Sequence, residues 1–321
     1  MQAVLQLRHV SKRFPGHQAL AGIDLDVRKG EFFSLLGPSG CGKTTTLRLI
    51  AGFEQPDSGS VRLNGADISQ LRPWQRNVST VFQNYALFPH LTVRGNVEFG
   101  LRRQGRTGDL DTAVARALDL VQLGGKASRY PAQLSGGERQ RAALARSLVL
   151  EPDVLLLDEP LSALDPALRR QVRTELKALQ RRVGITFLFV THDQEEALSL
   201  SDRIAVMNAG RIEQVGTPEE VYLQPRTRFV ASFLGSVNWI DGIGVRPEAM
   251  RLFATPPDEE MRALRATVVR SSFLGNYVQV EAEIDGGQAV TAELSRLGSG
   301  WQPGDPVHVC WRPADELRFA D

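Results

Sequence analysis

Residues Gly37-Pro38-Ser39-Gly40-Cys41-Gly42-Lys43-Thr44 fit the pattern G-x-x-x-x-G-K-[ST], a loop whose backbone N–H groups wrap around nucleotide phosphates. In that arrangement Lys43 places a point charge between the β- and γ-phosphates, and the Thr44 hydroxyl is left to ligate Mg²⁺. The glycines permit the tight backbone path, and the helix opening at Thr45 adds a favourable dipole. Two more sets of residues have types and spacing suited to the same chemistry. Asp158-Glu159 closes the apolar run Val154-Leu155-Leu156-Leu157, and Thr191-His192-Asp193 closes residues 185–190. Leu134-Ser135-Gly136-Gly137-Glu138-Arg139-Gln140 sets two glycines at a helix start, where bare N–H groups form a second anion site that has no lysine.

These groups act together only if the right elements deliver them. Residues 31–36 read as a buried strand entering the phosphate loop and residues 45–51 as the helix leaving it. In open α/β sheets ligands gather at the C-terminal ends of the strands. The two continuous apolar runs before Asp158 and His192 read as central parallel strands delivering their charges at those ends. Residues 77–82 form another strand ending at Gln83, followed by the aromatic segment Tyr85-Ala86-Leu87-Phe88-Pro89-His90. Ser135 is a good N-cap with Glu138 completing a capping box, and residues from about 84 to 150 read as helical and loop-rich.

Nearer the N-terminus, Leu5-Gln6-Leu7 and residues 23–27 alternate as half-buried antiparallel strands. Val61-Arg62-Leu63 enters a tight turn at Asn64-Gly65. Lys12 to Gly16 reads as a turn carrying Phe14, which either stacks on an adenine ring or simply packs.

The bulk numbers narrow the class. With 321 residues and 42% hydrophobic content the chain can bury a sizeable core, and two domains are expected, 1–234 and 235–321. Thirty-eight basic and 37 acidic residues nearly cancel, so the charge balance calls for neither nucleic acid nor an anionic membrane surface. Two cysteines, Cys41 and Cys310, suit a reducing compartment rather than a disulfide framework. No apolar run approaches the ~18 residues of a spanning helix, so a soluble chain is expected, with any membrane role exerted through a partner. From about Gly235 short alternating stretches such as residues 277–282 and turns such as Asp285-Gly286-Gly287 predict a small β-domain. Residues 245–253 and 311–319 look like two copies of one element, with Arg246-Pro247-Glu248 answered by Arg312-Pro313-Ala314.

Taken in order, residues 37–44, Gln83, residues 134–140, Asp158-Glu159, Ser162-Ala163-Leu164-Asp165 and His192 resemble the Walker A loop, Q-loop, signature, Walker B, D-loop and H-loop of ABC transporter ATP-binding subunits. The resemblance implies an α/β P-loop cassette with a mixed sheet core, an antiparallel β layer and a helical subdomain. The tail is similar to the OB-like TOBE domain that follows such cassettes in ATPases of bacterial binding-protein-dependent importers. It further implies ATP and Mg²⁺ as ligands, with Thr44, Asp158 and Gln83 around the metal. Glu159 would polarise the attacking water and His192 would meet the γ-phosphate. Gln140 and Asp165 are further implied nucleotide contacts, and the implied partners are a second copy, which presents Ser135, Gly136 and Gly137 head to tail, two integral membrane permease subunits and an extracytoplasmic solute-binding protein. That places the chain peripherally on the cytoplasmic face of the inner membrane. Among importers, Thr191-His192-Asp193-Gln194-Glu195-Glu196-Ala197 and its surroundings are most similar to ATPases of spermidine/putrescine uptake, while ferric-iron, sulfate and sugar importers share most of these words. A switch without turnover has no use for Glu159 beside Asp158. A DNA-repair relative would carry long heptad repeats and a translation factor two cassettes.

Overall fold

The computed structural model describes residues 2–105, 108–162, 164–257, 260–297 and 300–319. The chain separates into two compact units, Met1–Val221 and Tyr222–Asp321.

In the first unit β1 (Ala3–Phe14) and β2 (His17–Arg28) form a long hairpin, followed by β3 (Phe32–Leu36), α1 (Lys43–Ala51), β4 (Ser58–Leu63), β5 (Ala66–Asp67) and β6 (Val78–Val81). Three helices follow, α2 (Val93–Arg103), α3 (Leu110–Leu120) and α4 (Gly136–Leu148). The unit then alternates through β7 (Val154–Asp158), α5 (Pro166–Val183), β8 (Thr186–Thr191), α6 (Gln194–Leu200), β9 (Arg203–Asn208) and β10 (Arg211–Gly216). The main sheet has the order β10-β9-β3-β8-β7-β6, parallel except at its β10 edge. A second, antiparallel sheet has the order β2-β1-β4-β5.

Alternation along the central strands sorts the core into two faces. Phe32, Leu155, Leu157, Phe187 and Phe189 point to the helical side, where they pack with residues of α2 to α5. Phe33, Leu35, Leu156, Leu188 and Val190 point the other way, onto α1 and the antiparallel sheet. All ten are fully buried, which is why these strands read as continuous apolar runs rather than as alternating ones.

One local expectation changes. Lys12, Arg13 and Phe14 are not a turn: they complete β1, paired with Leu20, Gln18 and His17, and only Pro15-Gly16 turns. Asp57 holds this end in place, accepting from Arg13 N at 2.6 Å and from Lys12 Nζ at 3.3 Å.

The second unit starts earlier than the 234/235 position expected from composition. It includes α8 (Arg228–Phe233), which follows α7 (Pro218–Leu223). Buried Arg246 accounts for this, donating to the carbonyls of Tyr222 at 3.0 Å and Ala231 at 3.4 Å while stacking 3.8 Å from the Tyr222 ring. Two antiparallel sheets follow. The smaller joins β11 (Asn238–Ile240), β12 (Ile243–Val245) and β18 (Glu316–Leu317). The larger has the order β13-β17-β14-β15-β16, from β13 (Arg251–Phe253), β14 (Arg262–Phe273), β15 (Tyr277–Ile284), β16 (Ala289–Ser295) and β17 (Pro306–Trp311). The two sequence copies each make a short 3-10 turn after their Arg-Pro, at Pro247–Ala249 and Pro313–Asp315. They differ in burial, since Arg246 is inside and Arg312 is exposed. At the rim of the larger sheet Asn238 accepts from Thr291 N at 2.7 Å and donates to Thr291 O at 2.8 Å.

Candidate nucleotide-binding site

The phosphate loop runs from the end of β3 into α1, whose first residue is Lys43. Its shape depends on having no side chain at two places. A Cβ on Gly37 would sit 2.3 Å from Met207 O and 2.6 Å from Cys41 Sγ. One on Gly42, at φ +107°, would sit 2.6 Å from Ala19 O and 2.7 Å from Leu20 Cδ2. The loop is thus wedged between β2 and β9, and Gly210 N donates to Cys41 O at 3.1 Å to hold it there. Lys43 is buried, with Nζ donating to Gly37 O at 2.8 Å and Pro38 O at 2.9 Å and lying 3.8 Å from Cys41 Sγ. The loop curls around its own cation, while Ser39, Gly40 and Thr44 face solvent. Burial pushes the Cys41 thiol up, so it stays neutral beside that charge.

The neighbouring strand ends bring the other groups to the same edge. Asp158 closes β7 and hydrogen-bonds the Thr44 side chain. Burial first, and then the adjacent Glu159 charge, raise its pKa, against the lowering effect of Arg48 and Lys43. An acid raised in this way gains from a neighbouring cation. Glu159 turns into the left-handed region at φ +43°, a strained conformation for a residue with a Cβ, while its N–H donates to Val190 O at 3.0 Å. Its Oε2 lies 3.2 Å from His192 Nδ1, with the imidazole side chain 56% exposed. Gln83 Nε2 donates to Ser162 Oγ at 3.0 Å, and Ser162 Oγ donates to Glu159 O at 2.9 Å. A polar cavity of about 90 Å³ adjoins Glu159, Ser162, His192 and Arg169.

The remaining expected residues lie elsewhere in this unit. Ser135 caps α4 with its hydroxyl accepting from Glu138 N at 3.3 Å, and Glu138 accepts in return from Ser135 N at 2.9 Å. Gly136 and Gly137 are the first two helical residues, within the first turn rather than ahead of it. A Cβ there would meet Leu164 or Leu168 at an ordinary 3.4 or 3.5 Å, so packing inside the chain does not demand either glycine. Gln140 is fully buried, and neither amide atom has a partner among the described residues. The Asp165 carboxylate caps α5, accepting from Ala167 N at 3.1 Å and Leu168 N at 3.0 Å. Phe14 is 38% exposed at the hairpin tip with the Lys12 ammonium 5.5 Å from its ring.

Sequence reasoning named Ser162 only as part of the D-loop stretch and missed that it ties Gln83 to Glu159, and two further supporting groups escaped it. Glu196, buried on α6, accepts from Thr191 Oγ1 at 2.6 Å and so braces the turn carrying His192. Arg169 joins Leu164 O to Asp193 Oδ2, at 3.2 and 3.4 Å. A carboxylate beside Ala197 on the apolar side of a short helix was the one available signal for Glu196.

A parallel sheet with a phosphate loop after one inner strand, acids after the next but one and a histidine after the strand between is the architecture of a P-loop ATPase. Residues 20–162 match the ABC transporter family and residues 243–319 the TOBE domain. A spermidine/putrescine import ATP-binding protein of Thermobifida fusca is 47% identical over 354 aligned residues, covering 96% of this chain and 91% of the relative. A protein of the same description in Pseudomonas aeruginosa is 44% identical, covering 96% of each. Among solved structures, cbiO1 of Clostridium perfringens, part of an ABC transporter complex, superposes with TM-score 0.64 at 30% identity over 69% of this chain and 91% of that one. A dimeric ATP-binding cassette bound to ADP and Pi gives TM-score 0.59 at 31% identity over 67% and 98%. The chain belongs to the ABC transporter ATP-binding subunits that carry a C-terminal TOBE domain. Among the described residues no helix is long and apolar enough to cross a membrane.

Proposed function

We propose that this chain is the ATP-hydrolysing subunit of a bacterial importer for spermidine and putrescine. The observation that carries the ATPase reading is the meeting of Lys43, Thr44, Asp158, Glu159, His192 and Gln83 along one edge of the sheet. The solute is supported by the near full-length likeness to polyamine import relatives.

Catalysis of this kind is mainly positioning and charge stabilisation for in-line attack by water. Lys43 releases its loop carbonyls and turns its charge to the β- and γ-phosphates, joined by the loop N–H groups. Glu159 accepts the proton of the attacking water, and His192 keeps that carboxylate oriented while facing the γ-phosphate. Thr44, Asp158 and Gln83 would hold Mg²⁺, which screens the phosphate charge. A donor set of one hydroxyl, one carboxylate and one amide oxygen fits a cation that keeps water and phosphate in its shell. The bare N–H groups at Gly136 and Gly137, with Ser135, serve the nucleotide of a second copy, which makes the working form a head-to-tail dimer. Gln140 supports that signature turn from beneath and Asp165 shapes the facing loop. The segment from Tyr85 to His90 passes the change to an integral membrane permease pair fed by an extracytoplasmic binding protein, which holds the chain peripherally at the cytoplasmic face of the inner membrane.

The test is uptake of labelled spermidine, putrescine, ferric iron, sulfate and maltose in a deletion strain. Loss of polyamine uptake alone, restored by the wild-type chain and not by Lys43→Ala, is the expected result. Unchanged polyamine uptake in the deletion strain overturns the solute.

A further inference from the structure

The loop after Gln83 holds two consecutive residues in the left-handed region, Tyr85 at φ +62° and Ala86 at φ +46°. Neither is glycine, and this conformation is unfavourable for any residue with a Cβ. It persists only where the surroundings impose it. Here the imposing group is Arg146, in the last turn of α4. Its Nη1 donates to Ala86 O at 2.5 Å and its Nη2 to Tyr85 O at 2.9 Å, and its guanidinium lies 5.8 Å from the Phe88 ring centroid. Burial pushes its pKa down, and no ion pair with a carboxylate is seen among the described residues. A desolvated guanidinium without a counter-ion is a costly way to stabilise a fold.

Both ends of this arrangement lead to the site. Two residues before Tyr85, Gln83 reaches Ser162 and through it the Glu159 carbonyl. At the other end of the same α4 stand Gly136 and Gly137. We propose that Arg146 is a positioning residue for ATP hydrolysis. By holding Tyr85 and Ala86 left-handed it fixes the loop that presents Gln83 to Ser162 and Glu159, and it ties that loop to the helix carrying the signature glycines. The proposal rests on the ATPase reading above.

The experiment compares wild type, Arg146→Met, Ala86→Gly and the double variant, measuring kcat and KM for ATP together with the melting temperature. The cost of one left-handed residue corresponds to roughly a 5–30-fold change in population. Arg146→Met is therefore expected to lower kcat about 10-fold while KM moves less than about two-fold. Glycine adopts φ +46° without that cost, so Ala86→Gly in the Arg146→Met background should recover most of the lost kcat. A residue that merely supports the fold would instead lower the melting temperature in Arg146→Met, with Ala86→Gly repairing the melting temperature while kcat stays within two-fold of wild type throughout. A kcat for Arg146→Met within two-fold of wild type overturns the proposal, as does a loss that Ala86→Gly leaves untouched. Should Arg146→Met be insoluble, Arg146→Lys keeps the charge and stem but reaches one carbonyl at a time, and it is judged by the same two outcomes. Absence of hydrolysis by wild type would instead sink the functional reading itself.

Discussion

Replacing Glu159 by glutamine separates the chemical step from everything that precedes it. The variant keeps the backbone turn at φ +43°, the N–H bond to Val190 O at 3.0 Å and a side-chain atom in reach of His192 Nδ1, now 3.2 Å from Oε2. What it loses is the oxygen able to take a proton from water. General-base groups contribute ~10²–10⁴-fold, so kcat should fall by that factor, about 3–6 kcal/mol of barrier at ~1.4 kcal/mol per decade. Nucleotide affinity should survive, because removing the Glu159 charge also removes the second cause of the raised Asp158 pKa. Asp158 then ionises more readily and holds its cation at least as well. With binding intact and turnover slow, two copies should stay closed on ATP, visible as a doubling of the 35.4 kDa mass by light scattering on a sizing column only when ATP and Mg²⁺ are present. Asp158→Asn should behave differently, losing affinity and leaving little dimer to trap. Phosphate release by Glu159→Gln within a few-fold of wild type would refute this reasoning and pass the role to His192.

Lys43→Ala removes a cation that satisfies the Gly37 and Pro38 carbonyls. ATP binding measured by calorimetry should disappear, and each carbonyl left unpaired should cost about 1 kcal/mol or more in urea denaturation. Binding at wild-type affinity would dismiss the phosphate-loop assignment. Gly42→Ala forces a Cβ to 2.6 Å from Ala19 O at φ +107°, which should destabilise by about 3 kcal/mol or more; a loss below about 0.5 kcal/mol would show that the loop yields easily. Glu138 has its pKa lowered from the ordinary 4.5 to about 2, first by Lys126 and then by the Ser135 N–H. A depressed carboxylate contributes stability that is present above its unfolded pKa and lost as pH falls from about 4.5 towards 2. Glu138→Gln should flatten that part of the stability profile in denaturant titrations, and an unchanged acid limb would count against the pair.

Most of the site was legible because it is local or lies at strand ends. The strand, loop and helix around Lys43 are contiguous, and the two apolar runs deliver Asp158 and His192 to one edge whatever the details of packing. The Ser135 and Glu138 capping box was equally readable. What stayed hidden depends on distant partners. Lys12 to Phe14 looked like a turn because its pairing to β2 and its tie to Asp57 do not show in composition. Tyr85 and Ala86 carry no sequence sign of a left-handed path, since the cause is an arginine sixty residues further on. The start of the second unit was equally invisible, because it follows from Arg246 turning inward to Tyr222 and Ala231 while its sequence twin Arg312 turns out.

The small contact between Asn238 and Thr291 bears on how the β-domain behaves among other molecules. β16 is the last strand of its sheet, and a rim strand offers its N–H and C=O groups to any extended chain that drifts by, the usual route to sheet-to-sheet association. The Asn238 amide imitates one peptide unit, giving and taking one hydrogen bond with the same residue of β16. The Gln288 side chain hydrogen-bonds the next carbonyl of that segment, at Trp239. The rim is thus spoken for by the domain's own chain at mid-strand, where an added strand would have to register. Association through this domain is steered away from backbone zippering and towards side chains, such as the exposed Phe273, Leu274 and Leu297. An Asn238→Leu domain would keep its core and lose its discretion, turning β16 into a template for strands from its neighbours.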